Sequence, residues 1–266
     1  MAPSTKPVCL TCGTQYAAPR ADCPICTDER QYVPAAGQRW TDFDALRANP
    51  ELKARIQEEG PGLTGIGTEP RFAIGQRALL VQAPTGNILW DCTAYLTDEI
   101  ITAVQDRGGL SAIAISHPHY YTTMVEWAHA FNVPIHLHEH DAEWIGRPDP
   151  SIQLWSGTCK PLADNLTLVN LGVHFAGGTV LHWNRTLLTG DIVQVIPDRS
   201  HVAFMYSYPN LIPERPAVVR RARELLRELD FDSIYGAWWD STIPENAHEI
   251  VQRSADRYLA YVRDDS

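Results

Sequence analysis

The stretch Ala112-Ile113-Ala114-Ile115-Ser116-His117-Pro118-His119-Tyr120-Tyr121 decides how this chain is read. Its first half is a short apolar run of the kind that forms a strand buried on both faces. The chain leaves that run with two imidazoles at i and i+2, which project to one side of an extended backbone. Helix signals flank it. One helix is expected from about Thr97 to Asp106, stopped by Gly108-Gly109, and another from about Thr122 to Phe131. Strand, helix, strand is the grammar of sheets covered by helices.

Two more strand ends carry metal-ligand residue types. Gly172-Val-His174-Phe-Ala-Gly177-Gly178 follows an expected strand at Leu166 to Leu171, and its glycines permit close backbone approach. Leu187-Leu-Thr-Gly190-Asp191 runs from an expected strand at Thr186 to Thr189 into a carboxylate. Three imidazoles and one carboxylate thus stand at the ends of three separate strands, the edge where layered folds keep their sites.

These motifs and their order resemble the metallo-β-lactamase superfamily. The family's HxHxDH stands here as His117-Pro-His119-Tyr-Tyr121-Thr122, its GHTPGS-like turn as Val173-His174-Phe-Ala-Gly-Gly178, and its (L/F)TGD as Leu188-Thr-Gly-Asp191. The likeness runs from about Arg71 to the C-terminus. It implies an α+β fold, a four-layer αββα sandwich with a metal cleft at one edge that usually holds two zinc or iron ions. By position, His117, His119 and His174 are similar to the three imidazoles of the first metal site, and Asp191 to the carboxylate that normally bridges both metals. The second site departs from the pattern. Tyr121 and Thr122 replace the family's Asp and His, and Tyr235-Gly-Ala-Trp238-Trp239 replaces its final His. Tyrosine, threonine and tryptophan are poor zinc ligands, so one cleft ion, zinc or iron, is expected.

Such a donor set leaves room for a water whose pKa the ion lowers towards 7. The expected activity is metal-dependent hydrolysis of a small ester, thioester or related substrate. Catalytic candidates are Asp191; Tyr121, or its neighbour Tyr120, as a hydrogen-bond donor to an oxyanion; and His138, in His136-Leu-His138-Glu-His140, which could reach the vacant side. Trp238, Trp239 and the run Phe204 to Asn210 suit the aromatic wall of a small-molecule pocket. Two rival readings follow from the missing ligands and the open donor set. One is a non-enzymatic ligand-binding protein on a degenerate scaffold, the other an iron-dependent thiol or persulfide oxidoreductase.

Four of the six cysteines form two pairs, Cys9-Leu-Thr-Cys12 and Cys23-Pro-Ile-Cys26, and the spacing suits four thiolates on one tetrahedral zinc. A structural zinc module over 1–35 is expected, because so short a segment cannot build a sufficient core alone. A helical linker over 36–70 and the lactamase-like domain over 71–266 complete the expected organisation. Within the linker, helix signals run from Thr41 to Glu59, and Gly60 to Pro70 is too glycine-rich for a regular element. Strands are expected at Arg71 to Gly75, Ala78 to Gln82 and Ile88 to Cys92, with an amphipathic helix over Pro213 to Leu229.

The formal charge of −10 repels phosphate backbones, which argues against nucleic acid as a partner. No apolar leader or run of about 20 apolar residues is present. The expectation is a cytoplasmic protein with a small-molecule substrate and no membrane association.

Overall fold

The computed structural model describes residues 6–262. The chain divides into two compact units, the first running to Leu137 with Ala142–Leu154, the second comprising His138–Asp141 and the residues described from Trp155 on.

The first unit is built on a seven-stranded sheet. Its strands, in spatial order, are Lys53–Gly60, Leu63–Glu69, Ala78–Val81, Ile88–Trp90, Ala112–Ala114, Ile135–His138 and Ile152–Trp155. Ala112–Ala114 lies parallel to both its neighbours and is wholly buried, as its unbroken apolar run requires. This central position fixes where Ser116-His117 emerges. The helix Asp98–Gln105 is capped by the Thr97 hydroxyl and buries Ile100 and Val104. Met124–Phe131 ends on Asn132, whose left-handed φ of 53° closes the last turn.

The expected helical linker is corrected here. Helix occupies only Phe43–Arg47, with Asp42 as its cap, and it stops before Asn49-Pro50 because the residue preceding a proline disfavours helical backbone. Residues 53–69 instead form a hairpin that opens the sheet, with Gly65 opposite Gln57 and Gly67 opposite Arg55. Leu63–Glu69 pairs with Lys53–Gly60, and its first four residues also with Ala78–Val81, and that tertiary pairing overrides the weak strand propensity of its glycines. Arg71 to Gly75, expected as a strand, is a turn whose Ala73 and Gly75 adopt φ of 52° and 79°.

The second unit holds a six-stranded sheet in the order Cys159–Ala163, Leu166–Asn170, Thr179–Trp183, Thr186–Gly190, Ser233–Gly236, Thr242–Ile243. All neighbours are antiparallel except Thr186–Gly190 with Ser233–Gly236. Two helices, Pro216–Arg227 and Ala247–Tyr261, bury Val219, Ala222, Leu226, Val251 and Ala255 in one core with Leu187 and Ile234. Apolar residues at helical spacing on Pro216–Arg227 form the face that this core covers. Two short hairpins, Gln194–Val195 with Val202–Ala203 and Met205–Ser207 with Ile212–Pro213, had no signal in the sequence. The fold is α+β, as expected.

Candidate metal centres

The backbone holds the first pair of imidazoles in place through a carboxylate that sequence reasoning missed. Asp91 ends the strand Ile88–Trp90 with a φ of 60°, and its Oδ1 accepts the Ser116 N–H at 2.7 Å. The Ser116 hydroxyl lies 2.9 Å from His117 Nδ1. With Nδ1 so engaged, Nε2 is the nitrogen His117 presents to a metal. The chain then turns through Pro118–Tyr120, which sets the His117 and His119 rings edge to face with centroids 5.0 Å apart. The Tyr120 ring meets that of His117 edge to face, with centroids 4.5 Å apart. Tyr121 is buried and lines a cavity of about 10 Å³ with Thr14, Gln15, Met124 and Arg147.

His174 sits in a loop with little freedom. Its own φ is 67°, and a carboxylate oxygen of Glu214 accepts its N–H at 2.8 Å. Its Nδ1 donates to the Tyr206 carbonyl at 2.8 Å, which again leaves Nε2 as the metal-facing nitrogen. The two glycines that follow are dictated by space. A Cβ on Gly178 would stand 2.1 Å from the Val173 carbonyl oxygen, and one on Gly177 would stand 2.5 Å from the Asp141 carboxyl carbon. That carboxylate accepts the Gly177 N–H at 2.7 Å. Asp191 follows the strand Thr186–Gly190 and is buried; its backbone carbonyl accepts the Tyr208 hydroxyl at 2.5 Å. The segment 205–214 therefore braces His174 twice and Asp191 once.

His117, His119, His174 and Asp191 each offer one ligand atom, and those atoms lie within 4.8 Å of one another. The four side chains are buried. A group of three imidazoles and a carboxylate at this spacing fits an ion with ligand bonds of about 2 Å. The donor set excludes neither zinc nor non-haem iron. His138 is not brought into this group. Its Nε2 donates to the Gly157 carbonyl at 3.0 Å and its Nδ1 accepts the His140 N–H at 3.3 Å, so the ring ties two loops together. Burial pushes its pKa below the usual imidazole range.

The second cluster is Cys9, Cys12, Cys23 and Cys26, all buried, with sulfurs within 4.8 Å of one another. Cys9 and Cys26 sulfurs are 3.7 Å apart and those of Cys12 and Cys23 3.6 Å. Tetrahedral zinc with bonds of about 2.3 Å demands sulfurs about 3.8 Å apart, so the knot has the dimensions of a zinc cage. Thr11 N–H and Gln38 Nε2 donate to Cys9 Sγ at 3.4 and 3.2 Å, and Tyr16 Oη lies 3.2 Å from Cys23 Sγ. Donors aimed at sulfur favour the thiolate form a metal requires. Hydrogen bonding from Cys12 holds the Cys9 thiol far below its ordinary range, whereas burial pushes that of Cys12 up. A cation at the centre would let all four sulfurs ionise together.

Sequence reasoning did not find Asp91, Asp141 or Glu214, and it read Tyr208 as part of an aromatic wall, whereas its hydroxyl donates to the Asp191 carbonyl. Asp91 had a signal, since an apolar strand ending in a carboxylate is the same cue that marked Asp191. Glu214 had none, because it lies 40 positions from the residue it holds.

The fold is that of the metallo-β-lactamases. VMB-1 superposes with a TM-score of 0.60 at 10% identity, over 79% of this chain and 99% of that one. FIM-1 from Pseudomonas aeruginosa, in its mono-zinc form, gives 0.57 at 12% identity over 77% and 96%. The metallo-β-lactamase from Hirschia baltica gives 0.55 at 15% identity over 77% and 97%. No family model matches the chain. The chain belongs to the family of the uncharacterised protein YmaE of Bacillus subtilis (strain 168), with which it shares 47% identity over 261 residues, 95% of each chain.

Proposed function

We propose that this protein is a metal-dependent hydrolase of a small ester, thioester or related substrate, working with one ion held by His117, His119, His174 and Asp191. The observation that carries the reading is the gathering of those four buried donors within 4.8 Å; the single ion follows from the motif resemblance, in which Tyr121 and Thr122 replace an Asp and a His. A divalent ion in such a set makes hydroxide available from water near neutral pH and polarises a substrate oxygen. The chain's own residues do the rest. The Tyr206 carbonyl fixes His174 in the tautomer that leaves Nε2 basic, and the Ser116 hydroxyl at Nδ1 orients the His117 ring. Asp191 contributes negative charge, and the Tyr208 hydroxyl restrains its backbone. A mono-zinc form of a structural neighbour supports the one-ion stoichiometry. The cysteine cluster takes a zinc of its own as a structural element.

Among the described residues, no helix is long and apolar enough to cross a membrane. The acidic charge balance disfavours a phosphate-backbone partner, which supports a small molecule as the substrate class.

The test is elemental analysis of the purified protein beside an ester and thioester panel. Two metal ions per chain are expected, with turnover abolished in His119→Ala while the far-ultraviolet circular dichroism is preserved. A single ion that disappears when Cys9 and Cys12 are replaced would refute the reading. The unfilled second site favours one rival, a binding protein without turnover. That rival gains if the fully metal-loaded protein leaves the panel untouched while a ligand raises its melting temperature.

A further inference from the structure

The cysteine cluster does more than close the N-terminal segment on itself. Its first knuckle, Cys9 to Thr14, is a closed turn in which Cys9 N–H donates to the Thr14 carbonyl at 2.9 Å and Gly13 N–H to the Cys9 carbonyl at 2.8 Å. The residue that leaves this turn, Gln15, donates its backbone N–H to the Thr122 carbonyl at 3.0 Å. Thr122 lies three residues beyond His119 and has a φ of 36°, a conformation a threonine keeps only when its surroundings hold it. The Gln15 side chain donates to Glu126 at 3.0 Å, in the first turn of the next helix, and the Arg147 guanidinium closes the triangle onto Gln15 and Glu126.

Close packing accompanies these bonds. A Cβ on Gly13 would stand 3.1 Å from the Ala94 side chain and 3.5 Å from that of Thr122. On the far side of the knuckle, Ala17 N–H donates to the Gly146 carbonyl at 3.0 Å. A Cβ on Gly146 would stand 2.5 Å from the ring of Tyr16, whose hydroxyl touches Cys23 Sγ. The knuckle is thus seated on the loop that carries His117 and His119, with Tyr121 and Thr122 lining the small cavity at the seam.

We propose that the metal-filled cysteine cluster is a positioning element for the His117–Thr122 loop, so that filling it strengthens metal binding at the histidine site. The physical link is continuous. The ion fixes Cys9 and Cys12, the turn they close fixes Gln15, and the Gln15 amide and side chain together restrain Thr122, Glu126 and the backbone leading to His119. An empty cluster loses the turn, and the loop then spends part of its time with His117 and His119 apart. Because binding free energies are linked, an ion in the histidine site reciprocally tightens the cysteine site. The proposal rests on the reading of His117, His119, His174 and Asp191 as a metal site, and not on hydrolysis by it.

The experiment uses the full chain and zinc alone as the probe. Zinc affinity of the histidine site is measured by chelator competition, and backbone hydrogen exchange is followed by mass spectrometry. The chains compared are wild type, the double variant Cys12→Ser with Cys23→Ser, and Gln15→Ala. In the double variant, affinity at the histidine site is expected to fall about tenfold, the scale of a lost outer-shell support, and exchange over 117–126 to accelerate. Gln15→Ala keeps four thiols and both amide bonds, so it should retain cysteine-bound zinc and show a smaller loss of about threefold with the same exchange pattern. It decides the matter if the double variant does not fold. An unchanged histidine-site affinity and unchanged exchange over 117–126 with the cysteine site empty would overturn the proposal. So would Gln15→Ala behaving as wild type in both readouts when the double variant is unfolded. If the affinities shift as expected but the ester and thioester panel stays blank, the hydrolase reading fails alone.

Discussion

Replacing Glu214 by glutamine tests whether the loop carrying His174 is held from behind. One carboxylate oxygen accepts the His174 N–H at 2.8 Å and the other accepts the Arg215 N–H at 2.8 Å. Hydrogen bonds to a charged acceptor contribute about 1.5–3 kcal/mol each. Glutamine keeps one acceptor and turns an NH₂ group towards the other N–H, so one neutral bond of about 1 kcal/mol survives. Relief from burying the carboxylate offsets part of the loss. The expected net destabilisation is about 2 kcal/mol, and about 3 kcal/mol for Glu214→Ala, where neither bond survives. Because the left-handed backbone of His174 depends on the clamp, zinc affinity at the histidine site should fall about tenfold as well. Urea denaturation monitored by circular dichroism gives the first quantity, chelator competition the second, and Glu228→Gln on the exposed end of a helix is the control. A Glu214→Gln protein within about 0.5 kcal/mol of wild type, with unaltered zinc affinity, would show that the loop holds its shape without the carboxylate.

Three further outcomes follow from the same geometry. Gly178→Ala drives a methyl group to 2.1 Å from a backbone carbonyl, so a loss of about 3 kcal/mol or more is expected, read as a lower urea midpoint and lower soluble yield; a wild-type midpoint would mean the loop opens freely. Tyr208→Phe removes the hydroxyl that donates to the Asp191 carbonyl and should cost about 1–2 kcal/mol by the same assay. His138 is held neutral by burial, and protonating Nδ1 would break its bond from His140. Its folded pKa lies below the unfolded value of 6.5, so its contribution is complete above that value and declines as the pH falls through it towards the lowered one. Urea stability measured between about pH 7.5 and 5 should therefore fall more steeply for wild type than for His138→Gln; parallel curves would exclude the effect.

The parts of the fold legible in the sequence are those whose signal is local and whose neighbours agree with it. Ala112–Ala114 is an apolar run in a buried place, and Thr97 caps a helix by its own hydroxyl. What was illegible depended on partners distant along the chain. Leu63–Glu69 contains Gly65 and Gly67, and only the neighbouring strands make them part of a sheet. The ligand types at the strand ends could be named because strand ends and metal-ligand residues are both local features. Glu214 could not, since it reaches His174 through a bond that no spacing rule encodes, and although Asp91 carried the strand-end cue, nothing local showed its bond to Ser116.

The same distinction bears on the two features that the sequence presents as unrelated, the cysteine module and the departure from the family pattern at Tyr121-Thr122. In the structure they meet. Thr122 gives its carbonyl to Gln15, and Tyr121 and Thr122 line the seam with Thr14 and Gln15. Metal-ligating side chains need a polar, ion-filled side to face, whereas this turn is also the seat of a knuckle packed against it within van der Waals distance. A residue selected to fill a seam answers to volume and hydrogen bonding rather than to ligand chemistry. Tyr121 and Thr122 are therefore committed to the seam with Thr14 and Gln15. Tyr121→Asp combined with Thr122→His in the intact chain should then weaken the knuckle's seat without creating a second zinc site. Elemental analysis alongside exchange rates at residues 9–17 would show it, and a third equivalent of zinc with unchanged exchange would refute it.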